Sequence, residues 1–312
     1  MKWIKKGLIH APSRREPWGV SHAQLPVVDV LDHQRWRIYF GTRDEENRTV
    51  TTFIEVSAED PTQVLKVHDR PVMGLGERGC FDDSGVMPSW IVDHAGRKLL
   101  YYIGWNRGVS VPYRNAVGLA VSDDGGETFR RVGKGPIVGR SCTEPHFCGA
   151  SCVLLDGAIW RMWYLSCIRW IVCDGKPEPI YDIKYAESQD GIEWHVPGTV
   201  AVALNGPDEG GLTRPSVIKD GSLYRMWYSR RKARDYRTNP ANSYRIGYAE
   251  SHDGITFERK DDLAGIDVSE SGWDSEMITY AHVFDHGGRR HMIYNGNGFG
   301  RTGIGYAVLG GC

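Results

Sequence analysis

The 312-residue chain repeats itself with a period of about 60 residues, and this period limits the folds that are open to it. Each repeat contains an aromatic strand core such as RWRIYFG or LYRMWYSR, preceded by an apolar run and followed by a further strand such as YRIGYAESHDGITF. The aligned aromatic residues are Phe40, Tyr102, Tyr164, Tyr228 and Tyr294, at steps of 62, 62, 64 and 66 residues. Each unit therefore consists of three predicted strands, with a fourth after a DG turn.

Such a unit cannot bury its faces alone, and radial packing of five units about an axis solves this problem. The sequence therefore predicts an all-β fold, in which residues 1–312 form a single five-bladed β-propeller domain. The blades are expected near residues 20–60, 80–130, 144–195, 209–258 and 274–309, with N-terminal residues closing the ring. A β-sandwich is the alternative, but sandwiches do not show a fivefold internal period.

The DG turns follow a pattern of their own. Ser122-x-Asp124-x-Gly126-x-Thr128-Phe129 matches the Asp-box pattern of sialidases, and shortened versions begin at residues 188 and 251. The aspartate can accept backbone N–H groups across the turn while the glycine takes a positive φ. We interpret these motifs as structural hairpins and not as catalytic groups.

Charge and composition exclude several classes of function. The 38 basic and 39 acidic side chains give a net charge of −1, so nothing attracts the whole chain to nucleic acid or to an anionic membrane. No apolar stretch is long enough for a membrane span, and the N-terminus lacks the apolar region of a signal peptide. Seven cysteines are too few and too irregular for a disulfide scaffold, so we expect a cytoplasmic protein with reduced thiols.

Candidate site residues come from the loops that should converge at one end of the propeller axis. Counting back 18 to 20 residues from each aligned aromatic finds carboxylates in four repeats and a histidine in the first. These residues are His22, Asp82, Asp83, Glu144, Glu209, Asp274 and Glu276, and His146 lies beside them. Their recurrence predicts an acidic mouth.

A second set follows the aromatic cores, or precedes the fourth inner strand. It comprises Arg43, Trp105, Arg169, Arg230, Asn295 and Arg214. Carboxylates, arginines and aromatic faces together are typical of a carbohydrate site, in which sugar rings stack on tryptophan and paired acids do the chemistry. The number of arginines favours a ligand with a carboxylate or phosphate, unless these arginines only pair with the acids.

The cores LYRMWYSR and YAESHDGITF resemble the five-bladed propeller glycosidases of glycoside hydrolase families 43, 32 and 68, and the mannoside phosphorylases of family 130. The segment from Phe81, FDDSGVMPSWIVDHAG, looks most like family 130 but lacks its Asp-Arg pair. The resemblance implies catalysis by paired carboxylates. This chain departs from the pattern, because Leu25, Met87 and Arg214 precede prolines where acids would be expected.

The acids of the mechanism would then come from earlier loop positions. We assign Glu144 as general acid, because Phe147 and nearby aromatics could desolvate it, and Asp83 as base or nucleophile, with Glu276 in reserve for either role. No cofactor and no metal ligand set is predicted. The resemblance leaves one exception, a central calcium near His282, since a histidine of the last blade helps to hold that ion in some family 43 relatives.

The sequence is compatible with three functions. The first is a glycoside hydrolase that acts on a furanoside or an acidic sugar. The second is a glycoside phosphorylase that uses inorganic phosphate. The third is a non-catalytic propeller that binds a glycan or a protein. In each case the partner is a small molecule, an oligosaccharide or a protein, and neither nucleic acid nor a membrane is expected.

Overall fold

A computed structural model describes residues 1–13 and 16–311, and it is built almost entirely of β-strands. The strands run from β1, at Trp3–His10, to β20, at Ile304–Leu309. Three single helical turns accompany them, at Pro240–Asn242, Asp261–Leu263 and Asn297–Gly300. The prediction of an all-β fold is confirmed.

The strands form five antiparallel groups that follow one another along the sequence. Group 1 contains β2 (Ser21–Val30), β3 (Arg35–Arg43), β4 (Thr49–Ser57) and β5 (Val64–Val67). Group 2 contains β6 (Gly85–His94), β7 (Arg97–Arg107), β8 (Tyr113–Ser122) and β9 (Arg130–Arg131). Group 3 contains β10 (Cys148–Asp156), β11 (Ile159–Cys173), β12 (Lys176–Ser188) and β13 (Val200–Val202).

The last two groups complete the series. Group 4 contains β14 (Glu209–Asp220), β15 (Leu223–Lys232), β16 (Arg245–Ser251) and β17 (Glu258–Arg259). Group 5 contains β18 (Thr279–His286), β19 (Arg289–Asn295), β20 and β1. Because β1 pairs antiparallel with β20, strands from the two ends of the protein lie side by side in group 5.

The first strands of the groups contact one another in ring order, from β2 to β6, β10, β14 and β18, and from β18 back to β2. Two single parallel residue pairs also join neighbouring groups, Thr49 with Gly85 and Tyr181 with Gly211. All five first strands therefore face a common centre, and residues near their starts can meet there.

Aromatic side chains of the second strands bind each group to the next. Trp36, Trp163 and Trp227 are fully buried between groups. Three aromatic donors at equivalent repeat positions reach the DG turn of the following group. They are Tyr39 Oη to the Gly126 carbonyl at 2.8 Å, Tyr101 Oη to Gly191 at 2.9 Å and Trp163 Nε1 to Gly254 at 2.9 Å. The repeat thus encodes the contacts between groups as well as the strands.

The Asp124 turn has the bonding that its sequence motif predicts. Its carboxylate accepts the backbone N–H groups of Glu127 and Thr128 and the Ser122 hydroxyl, and Ser122 Oγ also accepts the Gly126 N–H at 2.8 Å. Partial burial of the carboxyl opposes ionisation, but the hydrogen bonds from Ser122 and Thr128 prevail and lower the pKa of Asp124 to about 2.

We expect Asp124→Ala to lower the free energy of unfolding by about 1 kcal/mol at pH 7, because the turn N–H groups lose their acceptor. Since folding lowers the pKa of Asp124, its contribution should be full above pH 4 and disappear as the pH falls towards 2. Urea denaturation between pH 2 and 7 measures both effects. Asp123→Ala is the control, because Asp123 makes only exposed ion pairs with Arg97 and Arg130. Equal losses in both variants would contradict a specific role for the turn.

Candidate functional site

A cavity of about 330 Å³ lies where the five groups meet, and every group contributes to its wall. We call it the shared cavity. Its wall combines aromatic rings, polar groups and a smaller set of aliphatic residues. The aromatic residues are Trp105, Tyr113, Phe147, Tyr181, Tyr236, Tyr244, Tyr280 and Phe299. Gln24, Arg43, Asn47, Thr49, Asn115, Thr213 and Arg237 supply the polar groups.

Irregularities in the first strands shape the floor of this cavity. The antiparallel register shifts near the start of each first strand, which marks a β-bulge. Four residues at these bulges have a left-handed backbone that costs energy in non-glycine residues: Leu25 (φ 55°), Ala150 (φ 44°), Arg214 (φ 53°) and Tyr280 (φ 57°). Leu25, Ala150 and Tyr280 line the cavity, as does Met87 at the equivalent position of group 2.

A buried guanidinium holds the tyrosines on one side of the cavity. Arg231 Nε donates to Tyr181 Oη at 3.0 Å and to Tyr244 Oη at 3.3 Å, and the two phenols also bond to each other. The Arg231 guanidinium lies 3.8 Å from the centre of the Tyr236 ring, and Nη2 donates to the Pro179 carbonyl. Burial raises the pKa of Tyr244, so its phenol remains a neutral hydrogen-bonding group.

Glu178 does not line the cavity itself but accepts hydrogen bonds from two residues that do. Tyr236 Oη donates to Glu178 Oε2 at 2.5 Å, and Arg237 Nε donates to Glu178 Oε1 at 3.2 Å. Both Tyr236 and Arg237 line the cavity. Glu178 is thus a carboxylate in direct contact with the wall, and the repeat pattern did not identify it.

Arg43 differs from Arg237, the other arginine of the cavity wall, because no carboxylate among the described residues pairs with it. Its Nε is buried and has no hydrogen-bond partner in the part of the chain that the structure describes. Burial and the positive charges of Arg301 and Arg237 lower the pKa of the Arg43 guanidinium, and the Tyr280 phenol partly offsets them. The same environment lowers the pKa of His22 to about 3, through burial first and the charges of Arg43 and Arg301 next. This side of the cavity is therefore electropositive.

The sequence predicts that the candidate acids meet at one end of the propeller axis. The structure places them elsewhere. Among the described residues that line the shared cavity there is no aspartate or glutamate. Four of the predicted acids are buried and bonded to cations within their own groups. The pairs are Asp82 with Arg131 (2.7 Å), Glu144 with Lys184 (2.6 Å), Glu209 with Arg259 (2.6 Å) and Asp274 with Lys5 (2.7 Å).

A phenol twenty residues later in the sequence completes three of these clusters. Tyr102 Oη donates to Asp82, Tyr164 Oη to Glu144, and Tyr294 Oη to Asp274, at about 3.0 Å in each case. The spacing that suggested a recurring active-site acid is therefore the spacing of a recurring structural contact.

The other two predicted acids lie in loops. Asp83 accepts the Gly79 backbone N–H at 2.9 Å and the Ser84 hydroxyl at 2.8 Å, within the turn before β6. Glu276 is exposed in the loop before β18. The structure therefore does not bring Asp83, Glu144 and Glu276 together around the shared cavity.

Of the predicted binding residues, Arg43 and Trp105 line the cavity. His22 is buried beside Ser21, and His146 is half-buried near Glu144. Arg169 is exposed and Arg230 forms a 3.7 Å ion pair with Asp261.

Asn295 and Arg214 have structural surroundings. The Asn295 amide donates to the Ala23 carbonyl at 2.6 Å and accepts the Leu25 N–H at 2.8 Å, which ties group 5 to group 1. Arg214 is fully buried beneath the cavity, and its Nη2 lies 3.3 Å from His282 Nδ1.

This arrangement speaks against the calcium hypothesis at His282. A guanidinium can only donate, so His282 Nδ1 must accept from Arg214 and is not free for a cation. Burial and the charge of Arg214 also lower the pKa of His282, which keeps the imidazole neutral. Within residues 1–13 and 16–311 there is no cluster of three or more His, Cys, Asp or Glu side chains that could hold a metal ion.

The repeat did contain a signal for the cavity floor. The floor residues lie fourteen or fifteen residues before the aligned aromatics, whereas the candidate acids lie 18 to 20 residues before them. The floor residues in question are Leu25, Met87, Ala150, Arg214 and Tyr280. Tyr236, Arg237 and Tyr244 come from the loop between β15 and β16, which has no counterpart of equal length in the other repeats. Sequence periodicity offered no signal for these three.

No protein-family model matches the chain. Two Mycobacterium tuberculosis proteins, the uncharacterized proteins MT1551 (strain CDC 1551) and Rv1502 (strain H37Rv), are 40% identical to it over 309 residues, which is 99% of this chain and 99% of each relative. The chain belongs to their family. The shared length shows that the family resemblance includes all five groups of strands.

Solved structures with the same fold include glycoside hydrolases. One described as a glycoside hydrolase has a TM-score of 0.74 at 18% identity, covering 99% of this protein and 92% of its own length. A thermostable family-43 glycoside hydrolase has a TM-score of 0.64 at 16% identity, covering 96% and 91%. A third structure, a complex of BT0996 with RGII, has a TM-score of 0.72 at 18% identity, covering 98% and 91%. The resemblance to the propeller glycosidases is thereby confirmed for the fold.

In the described part of the protein, none of the helices has the length and apolar character needed to cross a membrane.

If Glu144 is structural, Glu144→Gln should destabilise the protein by about 3 kcal/mol, because Lys184 loses the charge that compensates it in a buried position. Urea denaturation at pH 7 gives the free energy of unfolding. Glu276→Gln is the control and should change it by less than about 0.5 kcal/mol, because Glu276 is exposed. An unchanged stability of Glu144→Gln would contradict the structural role.

Proposed function

We propose that the five groups are the blades of a single-domain, five-bladed β-propeller over residues 1–312, with the shared cavity on its axis. The ring order of the first strands supports this arrangement. The pairing of β1 with β20 supports closure of the ring by the N-terminal strand. Blades near residues 20–60, 80–130, 144–195, 209–258 and 274–309 agree with the order of the antiparallel groups.

We further propose that the shared cavity binds a carbohydrate that carries a carboxylate or phosphate group. Arg43 is the observation that carries this proposal, because it lines the cavity without a carboxylate partner among the described residues. A partly desolvated guanidinium gains most from an anionic ligand that accepts two of its hydrogen bonds. Arg237 and Arg301 add positive charge on the same side.

The rest of the wall suits a sugar ring. Trp105, Tyr113 and Phe299 offer apolar faces, and Gln24, Asn47 and Asn115 offer groups that can hydrogen-bond to hydroxyls. A volume of about 330 Å³ is at the lower end of ligand pockets, which suits one sugar unit or the end of an oligosaccharide. The RGII complex among the structural neighbours adds support for a carbohydrate ligand.

Cleavage of a glycosidic bond is the second candidate function. Glu178 favours it, because this carboxylate contacts Tyr236 and Arg237 in the cavity wall. The glycoside hydrolases among the structural neighbours also favour it. The acids that the sequence predicts, Asp83, Glu144 and Glu276, do not line the shared cavity, so Glu178 is the carboxylate that this candidate tests first. Phosphorolysis is a variant of it, in which the phosphate nucleophile would occupy the electropositive side of the cavity near Arg43.

We expect Arg43→Gln to weaken binding of an anionic sugar such as glucuronate or a sugar phosphate by about 10- to 100-fold, because a charge-assisted hydrogen bond is lost. Binding of the matching neutral sugar should change little. Isothermal titration calorimetry on a panel of acid and neutral sugar pairs measures both affinities. Arg169→Gln, which removes an exposed arginine away from the cavity, is the control.

The binding proposal fails if the wild-type protein shows no preference for the acid member of any pair. It also fails if Arg43→Gln and Arg169→Gln lose affinity equally, since a general loss of positive charge would then explain the effect.

Turnover is tested with aryl furanosides and pyranosides, each with and without inorganic phosphate. If the second candidate holds, Glu178→Gln should lower kcat by about 10²- to 10⁴-fold on an active substrate. Glu187→Gln is matched to it, because Glu187 lies on the same strand and also accepts a hydrogen bond from a tyrosine, Tyr185. Turnover that requires phosphate would identify phosphorolysis. Absence of turnover for every substrate, together with intact sugar binding, would exclude cleavage and leave binding as the function.

A further inference from the structure

Arg214 is another arginine without a carboxylate partner among the described residues, and it is more completely buried than Arg43. It is on β14 immediately before Pro215, and its exposed fraction is 0%. Its Nη2 donates to the Pro26 carbonyl at 2.9 Å and to His282 Nδ1 at 3.3 Å. Its Nε and Nη1 are buried and have no hydrogen-bond acceptor among the described residues.

The charge of this guanidinium is also uncompensated. None of the ion pairs between described residues includes Arg214, and the ionisable group that bears most on it is the Cys152 thiol. Burial raises the pKa of Cys152 to about 12, so this thiol is neutral. His282 is neutral as well. Burial lowers the pKa of Arg214 to about 10, so the guanidinium still carries its proton at pH 7.

Protein contacts do not offset the cost of burying this charge. Removing an ion from water costs several kcal/mol even after relaxation of the protein. The Trp90 ring, 5.4 Å from the guanidinium carbon, supplies a cation–π contact that offsets part of this cost but adds no negative charge. Water could satisfy Nε and Nη1 as hydrogen-bond donors, but a neutral molecule does not compensate the charge.

We propose that Arg214 Nε and Nη1 bind a small monovalent anion, such as chloride, beneath the floor of the shared cavity. One negative charge matches the single uncompensated guanidinium. The bulges of three first strands, β2, β14 and β18, form both the cavity floor and the surroundings of this guanidinium. Leu25, Thr213 and Tyr280 line the cavity, and nearby residues of the same strands, Pro26, Arg214 and His282, form the guanidinium and its hydrogen-bond partners.

This inner site is distinct from the sugar site proposed above. The ion would fix the Arg214 side chain, and with it the bulge at Thr213, so it would act on the cavity as a structural support.

Bromide provides a direct test on the wild-type protein. Crystals grown or soaked in sodium bromide should show one anomalous peak within hydrogen-bonding reach of Arg214 Nε or Nη1. A well-ordered site that contains only water, with no anomalous signal at Arg214, would overturn the proposal. This measurement needs no variant, so it does not depend on whether a substituted protein folds.

Thermal unfolding at constant ionic strength supplies the second test. When chloride replaces methanesulfonate, which is larger and is not a sugar acid, the Tm of the wild-type protein should rise by about 2 °C for each tenfold increase in chloride above the Kd. Parallel series with bromide, nitrate and bicarbonate identify which small anion binds best.

Arg214→Met removes the charge and retains much of the length of the side chain, so its Tm should not depend on chloride. Arg43→Gln is the matched control and should retain the full chloride response while it loses sugar affinity. A chloride response in Arg214→Met equal to that of the wild type would overturn the proposal. Because the two arginines are tested separately, a negative result for the ion site does not contradict the proposed sugar site. A negative result for the sugar site likewise does not contradict the ion site.

Discussion

The contact between a buried carboxylate and a phenol twenty residues later is the interaction on which this structure most depends. This hydrogen bond joins the loop before a group's first strand to the middle of the same group's second strand. It is formed by Asp82 and Tyr102, by Glu144 and Tyr164, and by Asp274 and Tyr294. Each partner would be costly to bury alone, and a lysine or arginine of the same group neutralises the acid. In these three groups the contact fixes the loop from which the first strand starts, and the cavity floor depends on that position.

The sequence predicted the strand class, the repeat and the contacts of the DG turns, because aromatic spacing and turn chemistry are local properties. It also placed Arg43 and Trp105 at the cavity, because both lie where a second strand ends near the common centre. It also placed the acids there, whereas none of them is among the described residues that line the cavity. An acid that recurs at a fixed spacing is expected both for catalytic acids gathered around an axis and for a structural contact repeated in several units. The hydrogen bond from Tyr164 to Glu144, which only the structure shows, distinguishes the two.

The remaining cavity residues could not be predicted for two physical reasons. A β-bulge inserts one residue and turns the following side chains, so the faces of Leu25 or Tyr280 do not follow from strict alternation. Tyr236, Arg237 and Tyr244 come from a loop present in one repeat, and their positions depend on Arg231 and Glu178 from other strands. Loops carry specificity in repeat folds because they vary while the strands do not.

The distribution of charge gives the site its chemical character. The paired carboxylates are bonded to cations inside their own groups, whereas Arg43 and Arg214 face the centre without such partners among the described residues. The molecule as a whole is nearly neutral, with a net charge of −1, so the positive centre arises from the placement of charges and not from their number. A centre of this kind attracts anions and disfavours two ionised acids at the same place. Recognition of an anionic sugar is therefore better supported by this geometry than the two-carboxylate chemistry that the repeat first suggested.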